Sequence, residues 1–174
     1  MYAVADDRVI PVLSVPPCEP GAPSPMVLAD EFRVFVAYYA RATDSGLRAD
    51  WDGLTVSDPM DEAVVLVEFE SAYAHLFGPP NDEAFSGHPL ASRGLQPYTV
   101  SEVERSSWIR ALERMNAVHP YHRTEHFSKY RHFIFAFHDS TFECVAEGFQ
   151  VHLHRGSVNS AMAAGLGRLA IDSN

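Results

Sequence analysis

The chain has 174 residues, 47% of them hydrophobic, and a formal net charge of −10. That length and apolar fraction suit one compact domain with a real core and exclude a chain disordered throughout. Phosphate binding needs clustered Lys and Arg, whereas here Lys129 is the only lysine and no basic run occurs, so a nucleic-acid partner is not expected.

Two cysteines, Cys18 and Cys144, do not make a disulfide framework, and a reducing cytoplasm is the expected setting. The short apolar stretch 9–15 is broken by Pro11 and preceded by Asp6 and Asp7, which suits neither a signal peptide nor a membrane span. Pro11, Pro16, Pro17, Pro20, Pro23 and Pro25 then remove backbone donors and favour extended chain. Residues 1–25 therefore read as a proline-rich N-terminal arm, and 26–174 as a single α+β domain.

Phe32, Val34, Val36 and Tyr38 alternate with Arg33, Phe35, Ala37 and Tyr39, predicting a strand of about 9 residues. The apolar run 63–69 predicts another, with Glu68 and Glu70 at its end, and a polar loop anchored by Trp51 lies between them. Residues 78–97 lack periodicity; a loop of roughly 20 residues is more often functional or disordered than neutral. Its Phe85, Leu90 and Leu95 would pack it down, while Asn81, Asp82, Glu83 and His88 offer acceptors and a titratable base. Asn81 or Asp82 equally suits the cap of a short helical turn.

Ser101 and Glu104 have capping-box spacing for a helix reaching about Asn116, with Trp108, Leu112 and Met115 as its buried stripe and Pro120 as its stop. Near the other end Ser157 can cap a helix whose Val158, Met162, Leu166 and Leu169 recur at helical spacing, with Gly165 and Gly167 permitting close packing.

The most informative stretch is 132–154. Phe133, Phe135 and Phe137 alternate with His132 and His138, and Phe142, Cys144 and Ala146 with Thr141, Glu143 and Glu147, which predicts a hairpin with Phe137 opposite Phe142. The alternation resumes with reversed phase as Phe149, Val151 and Leu153 against Gln150, His152 and His154. A two-residue turn at Gly148 would explain the shift and make a three-stranded meander. Glu143, His152 and His154 would then share one polar face, within reach of one divalent metal, Fe, Mn or Zn. His138 would be a fourth ligand or, with His88 as the other candidate, the group that handles protons, since an imidazole ordinarily titrates near pH 6.5.

Blander roles compete. His-x-His on a strand face is often only an exposed polar edge. His119 and His122 suit the free carbonyls of a helix end, and His126 a solvated turn. His132 opposite Glu147 reads as a cross-strand pair, Asp139 as turn chemistry and Cys144 as an inert core thiol. No Gly-x-Gly-x-x-Gly, Gly-x4-Gly-Lys-Ser/Thr, Gly-x-Ser-x-Gly or Cys-x-x-Cys occurs, so nucleotide-driven and serine-hydrolase mechanisms have no motif support.

The runs Phe-Gly-Pro-Pro-Asn-Asp-Glu-Ala-Phe-Ser-Gly-His-Pro-Leu, Ser-Ser-Trp-Ile and His-Phe-Ile-Phe-Ala-Phe-His-Asp-Ser-Thr-Phe-Glu-Cys-Val-Ala resemble a group of uncharacterised bacterial proteins over about residues 63–147. The resemblance implies neither activity nor ligand.

The expected architecture is α+β: a mainly antiparallel sheet of about five strands with two principal helices on one face. The expected function is a small-molecule enzyme or ligand-binding protein with its pocket between the polar sheet face and the 78–97 loop. The alternative is a noncatalytic protein-interaction module whose acidic surface selects a partner. A metal-free acid/base pair of Glu143 and His138 is a third reading.

Overall fold

A computed structural model describes residues 2–41 and 62–171; the loop around Trp51 lies outside the described residues. Along the chain come strands β1 (Arg8–Pro11), β2 (Met26–Ala29), β3 (Val34–Tyr39), β4 (Ala63–Glu70), β5 (Ala74–Gly78) and β6 (Val100–Glu104), helix α1 (Ser107–Asn116), strands β7 (Arg131–Ala136), β8 (Thr141–Ala146) and β9 (Gly148–Arg155), and helix α2 (Val158–Ile171). The fold is α+β and its strands pair antiparallel. Instead of one sheet the described residues form two, ordered β1-β6-β7-β8-β5 and β2-β3-β4-β9.

The two sheets share the main core. Val34, Val36 and Tyr38 of β3, Val65, Val67 and Phe69 of β4, and Phe133, Phe135, Phe142, Cys144 and Ala146 of β7 and β8 are buried between them. Phe69 sits 5.5–5.9 Å from the rings of Phe133, Phe135 and Phe142, so the expected phenylalanine face is the contact between sheets. Each sheet also buries its outer face. α2 covers the four-stranded sheet through Val158, Ala161 and Met162 against Phe35, Ala37, Val64 and Leu66. The other sheet is covered by α1 and the 78–97 loop, so the helices lie on opposite outer faces rather than together on one.

The meander expected after Gly148 does not form. β9 pairs with β4 along its whole length, His152 opposite Leu66 and His154 opposite Val64, while β8 pairs with β5 and β7. The chain passes from β8 into β9 without reversing, and β4 passes into β5 beside it. Together they form one long antiparallel pair that bends from one sheet into the other. At the bend Glu147 N donates to Glu70 O and Tyr73 N to Val145 O, and the four steps from Glu70 to Ala74 are matched by three from Gly148 to Val145. An extra residue bends a strand while keeping its apolar side inward. The phase reversal between Ala146 and Phe149 is that of such a bend, not of a turn.

Three further expectations are corrected by packing. The β7–β8 hairpin pairs Phe135 with Phe142, two residues from the expected register, which leaves every side chain on its expected face. Of the expected 1–25 arm, the described residues 2–25 join the fold instead: β1 pairs with β6, Val15 and Cys18 enter the main core, and Tyr38 Oη donates to Pro16 O. Ser101 and Glu104 lie in β6, and α1 is capped instead by Ser106, whose Oγ accepts from Ile109 N. That shorter helix buries Trp108 and leaves Met115 72% exposed. Ser157 does cap α2, accepting at Oγ from Ser160 N. Among the described residues no helix is long and apolar enough to cross a membrane.

Candidate functional site

On the outer face of the five-stranded sheet, alternation brings His132, Ile134 and Ala136 of β7 beside Thr141, Glu143 and Val145 of β8. The 78–97 loop lies down on this face, as its apolar members predict. Phe85, Leu90 and Leu95 pack with Tyr2, Val103, Trp108, Ile134 and Val145 into a second core. The face expected to line a pocket is therefore filled with side chains, and Glu143, His132 and His88 lie buried within it.

Glu143 is the hub. Its Oε2 accepts from His132 Nε2 and from Tyr2 Oη, each at 2.9 Å, and its Oε1 from His88 Nε2 at 3.2 Å. For His88 the partner of the other ring nitrogen fixes the tautomer, whereas for His132 the acceptor-only carboxylate of Glu143 calls for a proton on Nε2. Leu90 N donates to His88 Nδ1 at 3.1 Å, so His88 carries its proton on Nε2, and the Ser106 hydroxyl lies 2.9 Å from His132 Nδ1. Burial pushes the Glu143 carboxyl upward, but the hydrogen bonds from His132 and His88 outweigh it and hold the pKa at about 2. Burial and the neighbouring carboxylate together push the Tyr2 phenol well above its usual range, so it remains a donor.

Aromatic rings wall the hub. Trp108 meets His132 edge-on at 5.0 Å and stacks on Tyr2 at 5.8 Å, while Phe85 stacks on His88. Asp7 ties the amino-terminal segment to α1 by accepting from Ser107 N at 2.6 Å and Ser107 Oγ at 2.8 Å. Ser106, although buried, is a lining residue of a surface groove of about 690 Å³ together with Arg8, Glu102, Glu104, Arg105, Arg110 and Arg131. It stands where β6 turns into α1, next to Arg105 at φ +50°.

The residues proposed from sequence divide into separate places. Glu143 and His88 come together, although they were expected in different roles. His152 and His154 do not join them, because β9 belongs to the other sheet. There His152 Nε2 faces Glu68 Oε2 at 3.1 Å, with Arg168 bonded to the same carboxylate oxygen, and His154 Nε2 faces Ser160 Oγ at 2.8 Å. The Glu143–His152–His154 ligand set is thus not assembled, and a guanidinium beside His152 and Glu68 opposes a cation there. Among the described residues no group of three or more His, Cys, Asp or Glu is placed to hold a metal.

His138 belongs to a third cluster at the hairpin tip. Its Nδ1 lies 3.0 Å from both Asp82 Oδ2 and Tyr98 Oη, and Tyr98 also donates to Asp82. That bond to the carboxylate raises the Tyr98 pKa to about 12 and lowers that of Asp82. Asn81 Oδ1 accepts from Ala84 N, the capping alternative for the loop. His132 bonds Glu143 rather than the expected Glu147, which pairs with Lys129 at 2.6 Å. His122 bonds Asn116 and Glu113 of α1, close to the helix-end role expected of it.

Sequence reasoning missed Ser106, Tyr2 and His132 as members of one network. Tyr2 is 141 residues from Glu143 and carries no local signal. Residues of the three runs quoted above converge here, His88 from the first, Ser106 and Trp108 from the second, His132 and Glu143 from the third. No protein-family model, curated protein or solved structure matches the chain.

Proposed function

We propose that the protein is a small-molecule enzyme of the acyl-transfer or hydrolytic type, with Ser106 as nucleophile, His132 as general base and Glu143 orienting the imidazole. The observation that carries this reading is the unbroken hydroxyl–imidazole–carboxylate line, with 2.9 Å at each link, ending at a residue that lines a groove. Such a triad is recognised by geometry rather than by sequence order, so the lack of a Gly-x-Ser-x-Gly elbow does not decide against it. In the forward step the Ser106 proton passes to His132 Nδ1 as Oγ bonds the acyl carbon. His132 gives it to the alkoxide or amine that leaves as the substrate's acyl bond breaks; water, deprotonated in turn by His132, then attacks the acyl carbon, the bond to Ser106 Oγ breaks, and His132 returns the proton to Oγ as the acid departs. Glu143, already ionised at neutral pH, stabilises the imidazolium between these transfers. Of the four arginines that line the groove, Arg8, Arg131 and Arg110 already pair with Glu104, Glu102 and Asp7, and the remaining positive charge, that of Arg105 beside Ser106, supports an anionic ester or amide as substrate.

A second reading rests on the burial of His132 and Glu143: the network is a clamp that ties residues 2–7, the 78–97 loop and α1 to the sheet. A fluorophosphonate probe followed by peptide mass mapping separates the two. The enzyme reading expects covalent labelling at Ser106, lost in Ser106→Ala and slowed as Glu143 is neutralised. A folded wild-type protein that leaves Ser106 unlabelled, or a Ser106→Ala variant that cleaves anionic nitrophenyl esters as fast as wild type, defeats it and leaves the clamp.

A further inference from the structure

Far from this network in role, the bend where β4 passes into β5 carries a groove of about 980 Å³ lined by Asp30, Phe32, Glu70, Tyr73, Tyr130 and Glu147 among others. A neighbouring depression of about 410 Å³ continues it through the shared residues Tyr73, Lys129 and Tyr130 to Phe127 and Glu125. Its floor is aromatic: Tyr73 lies 5.1 Å from Tyr130 and 5.4 Å from Phe127, and Phe127 lies 5.9 Å from Tyr130. Its rim is acidic, with Asp30, Glu31, Glu70, Glu125 and Glu147 against Arg33 and Lys129. Phe32 is 69% exposed at the rim and Tyr73 40% exposed on the floor.

Rings with carboxylates beside them are a setting for a cation, because the ring face and the carboxylate attract the same charge. The protein already places one there. The Lys129 ammonium sits 5.2 Å from the centre of the Tyr130 ring and 2.6 Å from Glu147 Oε1. Arg33 pairs with the rim residue Asp30 at 3.8 Å and also donates to the Arg168 and Leu169 carbonyls at the end of α2, so Glu70, Glu125 and Glu147 are the rim carboxylates it leaves for a cation.

We propose that this groove is a docking site for a peptide segment of a partner protein that presents a lysine or arginine flanked by apolar residues. The basic side chain stands over Tyr73 and Tyr130 against Glu147 and Glu70, and the apolar flanks cover Phe32 and Phe127. Lys129 acts as an internal occupant that the incoming cation displaces. A second copy of this chain is a poor occupant, since its net charge of −10 repels an acidic rim.

The displacement gives the test its sign. Isothermal titration of the full chain with a capped hexapeptide carrying one lysine between leucines measures affinity, and the same peptide with norleucine in place of lysine is the control. Lys129→Gln removes the competing charge and should tighten binding roughly three- to tenfold, the size expected of one exposed cation–π contact with its ion pair. Glu147→Gln should weaken binding by a similar factor; Lys129 is exposed and Glu147 half-buried, and circular dichroism checks that folding is kept. Binding seen only in Lys129→Gln also supports the site. The proposal is overturned if neither protein binds, if the norleucine peptide binds equally well, if Lys129→Gln weakens binding, or if sedimentation shows the groove residues mediating self-association instead.

Discussion

His132 and Glu143 are diagonal rather than direct neighbours across β7 and β8, with His132 opposite Val145 and Glu143 opposite Ile134, yet His132 Nε2 and Glu143 Oε2 lie 2.9 Å apart. The diagonal leaves the second carboxylate oxygen to His88, which the 78–97 loop lowers onto the sheet. One buried charge thereby accepts from three side chains brought by three segments.

Replacing Glu143 by Gln removes the charge and turns one acceptor oxygen into a donor while His88, His132 and Tyr2 still present donors. Breaking a buried charged network in this way costs roughly 3 to 5 kcal/mol. Urea unfolding should show a much lower midpoint for Glu143→Gln with an unchanged slope. A loss below about 1 kcal/mol would mean that water reaches the site.

Acid should act on the same group. The folded carboxyl titrates at about 2 against an ordinary 4.5, so its contribution is complete above pH 4.5 and is lost as pH falls toward 2. The difference between those values corresponds to about 3 kcal/mol at most. Unfolding midpoints measured from pH 6 down to pH 2.5 should therefore converge for wild type and Glu143→Gln. A gap that stays constant across that window would assign the stabilisation to packing rather than to the charge.

The two glycines of α2 should respond in opposite senses. At Gly165 an added Cβ would stand 3.3 Å from the Phe35 ring, which is close contact between helix and sheet, whereas at Gly167 it would meet nothing within 4 Å. Gly167→Ala should stabilise by about 0.5 to 1 kcal/mol through helix propensity, and Gly165→Leu should destabilise by about 1 to 3 kcal/mol through overpacking. Thermal melts that shift in the same direction for both would contradict the packing of α2 on β3.

Much of the layering was legible in the sequence. Phe133, Phe135, Phe142 and Cys144 face the main core as their alternation predicts, and Phe85, Leu90 and Leu95 fasten the long loop. The boundary at α1 was misread because Ser101-x-x-Glu104 and Ser106 both offer cap chemistry, and pairing of β6 with β1 and β7 decides that the first stretch is extended. The proposed metal ligands failed for a related reason: a phase reversal at Ala146–Phe149 fits a turn and a bend equally well, and choosing between them requires knowing that β4 is waiting as the partner.

By itself the sequence determined which side chains point together within each strand, because that follows from backbone geometry over a few residues. Only the tertiary structure decided which strands lie side by side, sending His152 and His154 to one sheet while gathering Tyr2, His88, Ser106 and His132 around Glu143 on the other. The physical reason is that any antiparallel neighbour satisfies a strand's hydrogen bonds and its alternation. The choice of neighbour is made by burial and charge satisfaction summed over segments far apart in the chain.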